Sequence, residues 1–245
     1  MGTQRFAEKP QRYTEKNEGI PQTSMSLWNR LSPPWQAAVA LAWEAYCARS
    51  LPIGAVIVNG NGRLVANGRN ALFESESDAP LHGSRLAHAE MNALLALSKT
   101  DSSPENCTLY TTLEPCMMCM GAIRMMRIGM VHFACHDPLA GSAALVETAP
   151  YQALGPLPVS GPQDATLEAV LLLLNVETML RVEKAYWVEV VETACPREDV
   201  GAVPHFQPHI TLGKQLFASG ELWQLGQQKP PAAEMLDWLQ SKLSG

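Results

Sequence analysis

The feature that constrains this chain most is a pair of segments, His88-Ala89-Glu90 and Pro115–Cys119, that each stand where a helix is predicted to begin. Cys116 and Cys119 are spaced i, i+3, so both sulfur atoms face one side of a helix. The partial positive charge at a helix N-terminus favours the thiolate form of cysteine, which is the form that binds zinc. A fold that brings His88 to these cysteines creates a metal site.

The Cys-x-x-Cys spacing alone is ambiguous, because redox pairs and halves of structural zinc sites also contain it. A structural site needs a second cysteine pair or a Cys/His pair, and the other four cysteines are isolated: Cys47, Cys107, Cys135 and Cys195. The N-terminal residues have no apolar signal core, which favours metal binding and free thiols over disulfides. His88, Cys116 and Cys119 then form a three-ligand set with an open fourth position, which is typical of catalytic zinc.

Glu90 is the candidate for acid–base chemistry at this site. It follows His88 by two residues, too close in sequence to be a convenient fourth ligand. A carboxylate beside the open zinc position can take a proton from water and pass it on, which contributes roughly 10²–10⁴-fold to a rate. The alternative is a structural carboxylate at a helix start, stabilised by the helix dipole.

The apolar pattern along the chain predicts an α/β fold. Helices are predicted over about 33–49, 88–99, 117–127, 165–184 and 230–243, and strands over 53–58, 63–68, 108–112, 130–134 and 157–160. The turn Asn59-Gly60-Asn61-Gly62 is typical of a hairpin between the first two strands. Strands that alternate with helices predict an α/β/α sandwich, and the hairpin makes its sheet mixed. Residues 137–156 are predicted to be a loop.

The H-x-E and P-C-x-x-C segments resemble the cytidine-deaminase-like superfamily of zinc deaminases, and within it the branch of tRNA-adenosine and guanine deaminases. The resemblance covers residues 35–185 and includes LPIGAVIV (51–58), GRN (68–70), AHAEMNAL (87–94), TLYTTLEPCMMCMGAI (108–123) and RIGMVHF (127–133). It implies a three-layer α/β/α sandwich with a mixed five-stranded sheet. It also implies one zinc ion per chain, held by His88, Cys116 and Cys119, with Glu90 as the proton shuttle.

The same resemblance implies that Asn70 hydrogen-bonds the substrate, with Ala89 and Asp137 as further substrate-binding candidates. For Asn70 the alternative is an asparagine at the end of a strand that closes a turn, and for Asp137 it is a turn-forming residue before Pro138. The loop at 71–87 is longer than in that branch of the superfamily, and it leaves the identity of the base open.

The expected activity is hydrolytic deamination of an amino-substituted nucleobase, nucleoside or nucleotide, which gives the oxo product and ammonia. Adenosine-to-inosine editing of tRNA is an alternative that the net charge of −6 disfavours, because an acidic protein is a poor partner for a polyanion. A non-catalytic, zinc-folded partner subunit is a second alternative. Glu90 argues against it, since an inactive subunit has no chemical need of that carboxylate.

We expect the chain to divide into an N-terminal extension at 1–26, a zinc deaminase domain at 27–195 and a C-terminal extension at 196–245 with a terminal helix. No apolar segment approaches the roughly 18 residues that span a bilayer, so we expect a cytoplasmic protein without a membrane partner. The family resemblance implies a homodimer.

Overall fold

A computed structural model of the protein describes residues 26–182, 188–189 and 206–243. Its helices are α1 (Leu27–Arg30), α2 (Pro33–Cys47), α3 (Ala89–Leu97), α4 (Met117–Met125), α5 (Ala149–Gln152), α6 (Ala165–Arg181), α7 (Gln207–Ser219), α8 (Glu221–Gln228) and α9 (Ala232–Leu243). Its strands are β1 (Gly54–Val58), β2 (Leu64–Arg69), β3 (Thr108–Thr111), β4 (Met130–Phe133) and β5 (Val159–Ser160). The predicted N-terminal extension, apart from Ser26, and Cys195 lie outside the described residues.

The five strands form one mixed sheet in the order β2-β1-β3-β4-β5. β1 is antiparallel to both β2 and β3, whereas β4 is parallel to both β3 and β5. The predicted hairpin joins β1 to β2: Asn59 Oδ1 accepts the N–H groups of Asn61 and Arg63 at 3.1 Å, and Gly62 has φ +76°. These pairings confirm the predicted mixed five-stranded sheet.

Helices cover both faces of the sheet, as two glycines of the hairpin show. A Cβ at Gly54 would lie 2.1 Å from the carbonyl oxygen of Ala38 in α2, and a Cβ at Gly68 would lie 2.5 Å from that of Ala89 in α3. Gly54 pairs with Arg69, the neighbour of Gly68, and successive residues of a strand face opposite sides. α2 and α3 therefore pack on opposite faces, which confirms the three-layer arrangement.

Two segments differ from the sequence-based expectation. Residues 137–156 contain the 3₁₀ turn Ala143–Glu147 and α5, where we predicted only a loop. A residue far along the chain stabilises this turn: a carboxylate oxygen of Glu114 accepts a hydrogen bond from the N–H of Ala143 at 2.9 Å. The chain after residue 206 forms three helices, of which the sequence predicted only α9.

One hydrophobic core joins the sheet, its covering helices and the C-terminal helices. Leu171, Leu172, Leu173 and Leu174 of α6 are buried in it, which confirms that these leucines are core residues. The C-terminal helices contribute Ile210, Leu216, Leu222, Met235, Leu236 and Leu239 to the same cluster. Among the described helices, none combines the length and the apolar character needed to cross a membrane.

Candidate metal centre and active site

His88 and Cys116 occupy equivalent positions on two helices, since each is the residue that immediately precedes the first helical turn. His88 precedes α3 with φ −78° and ψ 153°, and Cys116 precedes α4 with φ −71° and ψ 171°. Neither side chain caps its own helix in the described structure, which leaves both able to bind elsewhere. Cys119 lies in the first turn of α4. Two helix N-termini, each with unpaired N–H groups and partial positive charge, thus meet at one place.

The three candidate ligand atoms are at distances that suit a zinc ion. His88 Nδ1 lies 3.7 Å from Cys116 Sγ and 3.5 Å from Cys119 Sγ, and all three atoms lie within 4.8 Å of one another. Zn–S bonds of about 2.3 Å and Zn–N bonds of about 2.0 Å at a tetrahedral angle require a sulfur–nitrogen separation of about 3.5 Å. Within the described ranges, this is the one group of three or more such residues compact enough to hold a metal ion.

The electrostatics of the two thiols also suit a cation. A hydrogen bond from Cys119, aided by a second one from His88, lowers the pKa of the Cys116 thiol to about 4. The pKa of Cys119 is raised, because its thiol donates that bond and is buried. Zinc favours thiolate ligands, and a dication at this place would displace the Cys119 proton. Two thiolates and a neutral imidazole then balance its charge.

Glu90 lies against this ligand set and is almost fully buried. Its Oε1 accepts a hydrogen bond of 3.0 Å from the hydroxyl of Thr111 in β3, and its Oε2 lies 3.4 Å from Cys119 Sγ. Burial raises the pKa of Glu90, and the positive charge of a protonated His88 opposes this shift. One carboxylate oxygen is therefore fixed by the sheet, while the other faces the candidate metal centre.

Asn70 follows β2 directly and is completely buried. Its Oδ1 accepts the hydroxyl of Ser50 at 2.7 Å and the N–H of Leu72 at 3.0 Å, whereas its Nδ2 has no partner among the residues that the structure describes. The N–H of Ala71 donates to the carbonyl of Ala87 at 3.0 Å, next to His88. The segment that carries Asn70 thus adjoins the candidate metal centre.

Asp137 and Ala89 are the other predicted substrate-binding residues. Asp137 Oδ1 accepts the N–H groups of Leu139 and Ala140, both at 3.0 Å, as the turn-forming alternative predicts. Ala89 is the first residue of α3 with a fully buried side chain, so any contact with a ligand would come from its backbone N–H. Substrate contact by either residue stays a prediction.

The sequence did not indicate the roles of two residues: Thr111, which donates the hydrogen bond to Glu90, and Glu114. Glu114 is buried, and besides Ala143 it accepts the N–H of Asp137 at 3.4 Å. It thereby ties the loop after β4 to the segment that leads into Cys116. The available sign was its place in the chain, because a carboxylate stands between Leu113 and Pro115, two residues before Cys116.

The long loop between β2 and α3 is held by two polar residues. Asn92 of α3 accepts the N–H of Leu81 at 2.8 Å and donates to the carbonyls of Leu81 and Arg69 at 3.0 Å. The guanidinium of Arg69 pairs with Glu74 and, at 2.8 Å, with Asp78. The loop next to His88 is therefore fastened both to α3 and to the end of β2.

Residues 32–135 match the model of the cytidine and deoxycytidylate deaminase zinc-binding region. The match includes all three candidate ligands and Glu90. This part of the chain is therefore similar to that zinc-binding region. α7, α8 and α9 lie beyond the matched residues.

This part of the chain is similar to proteins of different names. The chain is 38% identical over 107 residues to the tRNA(Ile)-lysidine synthase of Deinococcus radiodurans, which covers 43% of this chain and 17% of that protein. It is 41% identical over 106 residues to the tRNA-specific adenosine deaminase of Bacillus subtilis, which covers 42% of this chain and 61% of that protein. These matches span less than two thirds of either relative.

Solved structures include a similar chain as well. The guanine deaminase of Bacillus subtilis is 37% identical over the matched residues, which cover 41% of this chain and 60% of that chain, with a TM-score of 0.36.

Proposed function

We propose that this protein is a zinc-dependent hydrolytic deaminase, which converts an amino-substituted nucleobase, nucleoside or nucleotide and water into the oxo product and ammonia. The observation that carries the proposal is the position of Glu90, whose Oε2 lies 3.4 Å from Cys119 Sγ beside the three ligand atoms. A structural zinc site has four protein ligands, whereas a catalytic site has three and keeps one position open. A buried carboxylate next to three ligands favours the catalytic kind.

The chemistry divides between the metal and Glu90. A zinc ion held by His88, Cys116 and Cys119 would act as a Lewis acid and lower the pKa of water to about 7, which supplies a hydroxide nucleophile near neutral pH. Glu90 would accept one proton of the attacking water at Oε2 and deliver it to a ring nitrogen. It would then take the second proton from the added hydroxyl group and pass it to the departing amino group, so that the products are the oxo compound and ammonia. Because the Thr111 hydroxyl donates a hydrogen bond to Oε1, Oε2 is the oxygen that would accept and donate the protons. Burial favours this role, since a raised pKa makes the carboxylate a stronger base.

Asn70 is the proposed contact to the substrate. Its Nδ2 is buried and lacks a hydrogen-bond partner within the described part of the chain. A buried amide donor without a partner carries a free-energy cost that a substrate acceptor atom would remove. A ring nitrogen or a carbonyl oxygen of a nucleobase is such an acceptor.

Release of ammonia by wild-type protein and by Glu90→Ala tests the proposal. The panel contains adenine, guanine and cytosine as bases, nucleosides and monophosphates, together with an anticodon stem-loop RNA. We expect release from at least one compound and its loss, by roughly 10²-fold or more, in the variant. A variant that retains full turnover would contradict the role of Glu90. A zinc-loaded wild type that is silent on the whole panel would instead indicate the non-catalytic partner subunit.

Editing of adenosine in tRNA is the second candidate function. The similarity to the tRNA-specific adenosine deaminase of Bacillus subtilis favours it, although the net charge of −6 does not. Such an enzyme must extrude the base and contact phosphates, so its affinity for RNA falls steeply as salt rises. Binding of the stem-loop at low salt that weakens steeply at higher salt would support this candidate. No binding at low salt would exclude it.

A further inference from the structure

The side-chain amide of Asn70 is held in one orientation by its neighbours. The N–H of Leu72 is a donor, so the Asn70 atom that faces it at 3.0 Å must be the acceptor Oδ1. The N–H of Phe73 donates to Ser50 Oγ in a longer contact of 3.5 Å, and the Ser50 hydroxyl in turn donates to Asn70 Oδ1 at 2.7 Å. Oδ1 thus accepts hydrogen bonds from the Leu72 N–H and from the Ser50 hydroxyl, which in turn accepts one from Phe73. This fixes the orientation of the amide and leaves Nδ2 to donate to another partner.

Ser50, which donates to Asn70 Oδ1, is itself held in place by the backbone around it. It is completely buried, and its own N–H donates to the carbonyl of Ala45 at 2.8 Å, where α2 ends. The preceding residue, Arg49, has φ +64°, a left-handed conformation that turns the chain away from the helix. The backbone of Ser50 is therefore fixed by the end of α2, while its hydroxyl contacts Asn70 and Phe73 of the following loop.

We propose that Ser50 is a positioning residue of the active site: it holds the Asn70 amide so that Nδ2 donates to an acceptor atom of the substrate. The role rests on the proposed deaminase function, in which Asn70 contacts the base. It also defines the substrate class further, because the group opposite Asn70 must be a ring nitrogen or a carbonyl oxygen and not an amino group. An amino group there would leave donors facing each other in a buried place.

Kinetics of Ser50→Ala test the positioning role. The variant loses one donor to Oδ1, and we expect KM for the productive compound to rise about 5- to 10-fold while kcat stays within about 2-fold and zinc content is unchanged. Ser98→Ala, which removes an exposed hydroxyl bonded to the carbonyl of Leu95, is the matched control and leaves KM unchanged. A purely structural role would lower the unfolding midpoint without altering KM.

Asn70→Asp is the second variant, because it keeps an acceptor for Ser50 and Leu72 and replaces the Nδ2 donor by an acceptor. We expect it to fold, to bind zinc and to lose at least about 10-fold in kcat/KM. Activity equal to wild type in Asn70→Asp, or an unaltered KM in Ser50→Ala, would overturn the proposal.

An NMR measurement that requires no enzymatic turnover tests this proposal independently of the proposed function. In protein labelled with ¹⁵N-asparagine, the side-chain amide resonances of Asn70 are those missing from Asn70→Asp. We expect one sharp pair in wild type, and a broadened or doubled pair in Ser50→Ala. A pair that is the same in both proteins would overturn the role of Ser50 even in an active enzyme. If wild type releases no ammonia from any compound, the proposed function fails while this comparison still decides how Asn70 is held.

Discussion

At the scale of single residues, the proposed chemistry depends on how the carboxylate of Glu90 is held. Thr111 comes from the central strand β3, and its hydroxyl fixes Oε1 at 3.0 Å. The remaining oxygen, Oε2, is the one beside Cys119. Because both Glu90 and Thr111 are buried, water cannot replace the hydroxyl easily.

Replacement of Thr111 by valine keeps the shape of the side chain and removes its hydrogen bond. A bond to a charged group contributes about 1.5–3 kcal/mol, so we expect kcat to fall at least about 10-fold with unchanged zinc content. Steady-state ammonia release, with zinc measured in the same samples, checks this. Thr108→Val in the same strand is the control and should keep kcat, whereas a wild-type kcat in Thr111→Val would contradict the account.

The candidate ligands and Glu90 could be proposed from sequence because the H-x-E and P-C-x-x-C segments together resemble a known motif pair, although His88 lies 28 and 31 residues from Cys116 and Cys119. Thr111 and Ser50 were not predictable in this way. Their bonds to Glu90 and Asn70 span 21 and 20 residues and exist only once β3 and the end of α2 are in place. Local periodicity carries no information on such pairs.

At the scale of elements, the close contact between β2 and α3 positions the candidate active site. Gly68 allows this contact, since a Cβ there would lie 2.4 Å from the backbone nitrogen of Ala93 and 2.5 Å from the carbonyl oxygen of Ala89. Both neighbours are backbone atoms of the helix that follows His88 and contains Glu90. Any side chain at this position must push α3 away from the sheet.

Gly68→Ala is therefore expected to lower the free energy of unfolding by about 1–3 kcal/mol and to reduce zinc content. Gly60→Ala on the same hairpin is the matched control, because a Cβ there has its nearest neighbour at an ordinary 3.5 Å. Urea unfolding of both variants measures the difference. Equal midpoints for the two variants would contradict the packing argument.

Most elements of the sheet and its flanking helices were predictable to within a few residues, because their apolar positions follow a clear period. The turn Ala143–Glu147 was not, since none of its residues is buried and its partner, Glu114, lies 29 residues away. α8 was missed for a similar reason. It buries only Leu222 and Gly226, and Gly226 fits closely against Tyr46.

At the scale of the whole molecule, the C-terminal helices share one hydrophobic core with the matched residues 32–135. α7 lies along α6 so closely that a Cβ at Gly213 would be 2.7 Å from Cγ1 of Val176. Met235, Leu236 and Leu239 of α9 are fully buried in the same cluster. The predicted domain boundary at residue 196 stays a prediction. The hydrophobic core contains residues from both sides of this boundary.

A chain that ends at residue 205 is expected to be strongly destabilised. Burial of each large apolar side chain contributes about 1.5–3 kcal/mol, so the loss of several is comparable to the total stability of about 5–15 kcal/mol of a typical domain. Circular dichroism during urea unfolding checks this expectation. A truncated chain with the midpoint of the full-length protein would show that these helices are dispensable for stability.

The most direct test of the central claim is to measure zinc and ammonia release together in wild type, Cys116→Ser and Cys47→Ser. Cys47 lies at the end of α2 outside the ligand group, so its variant controls for the same chemical change. We predict one zinc ion per chain and full activity in wild type and Cys47→Ser, and the loss of both in Cys116→Ser. Full turnover in Cys116→Ser would contradict the claim that this centre performs the deamination.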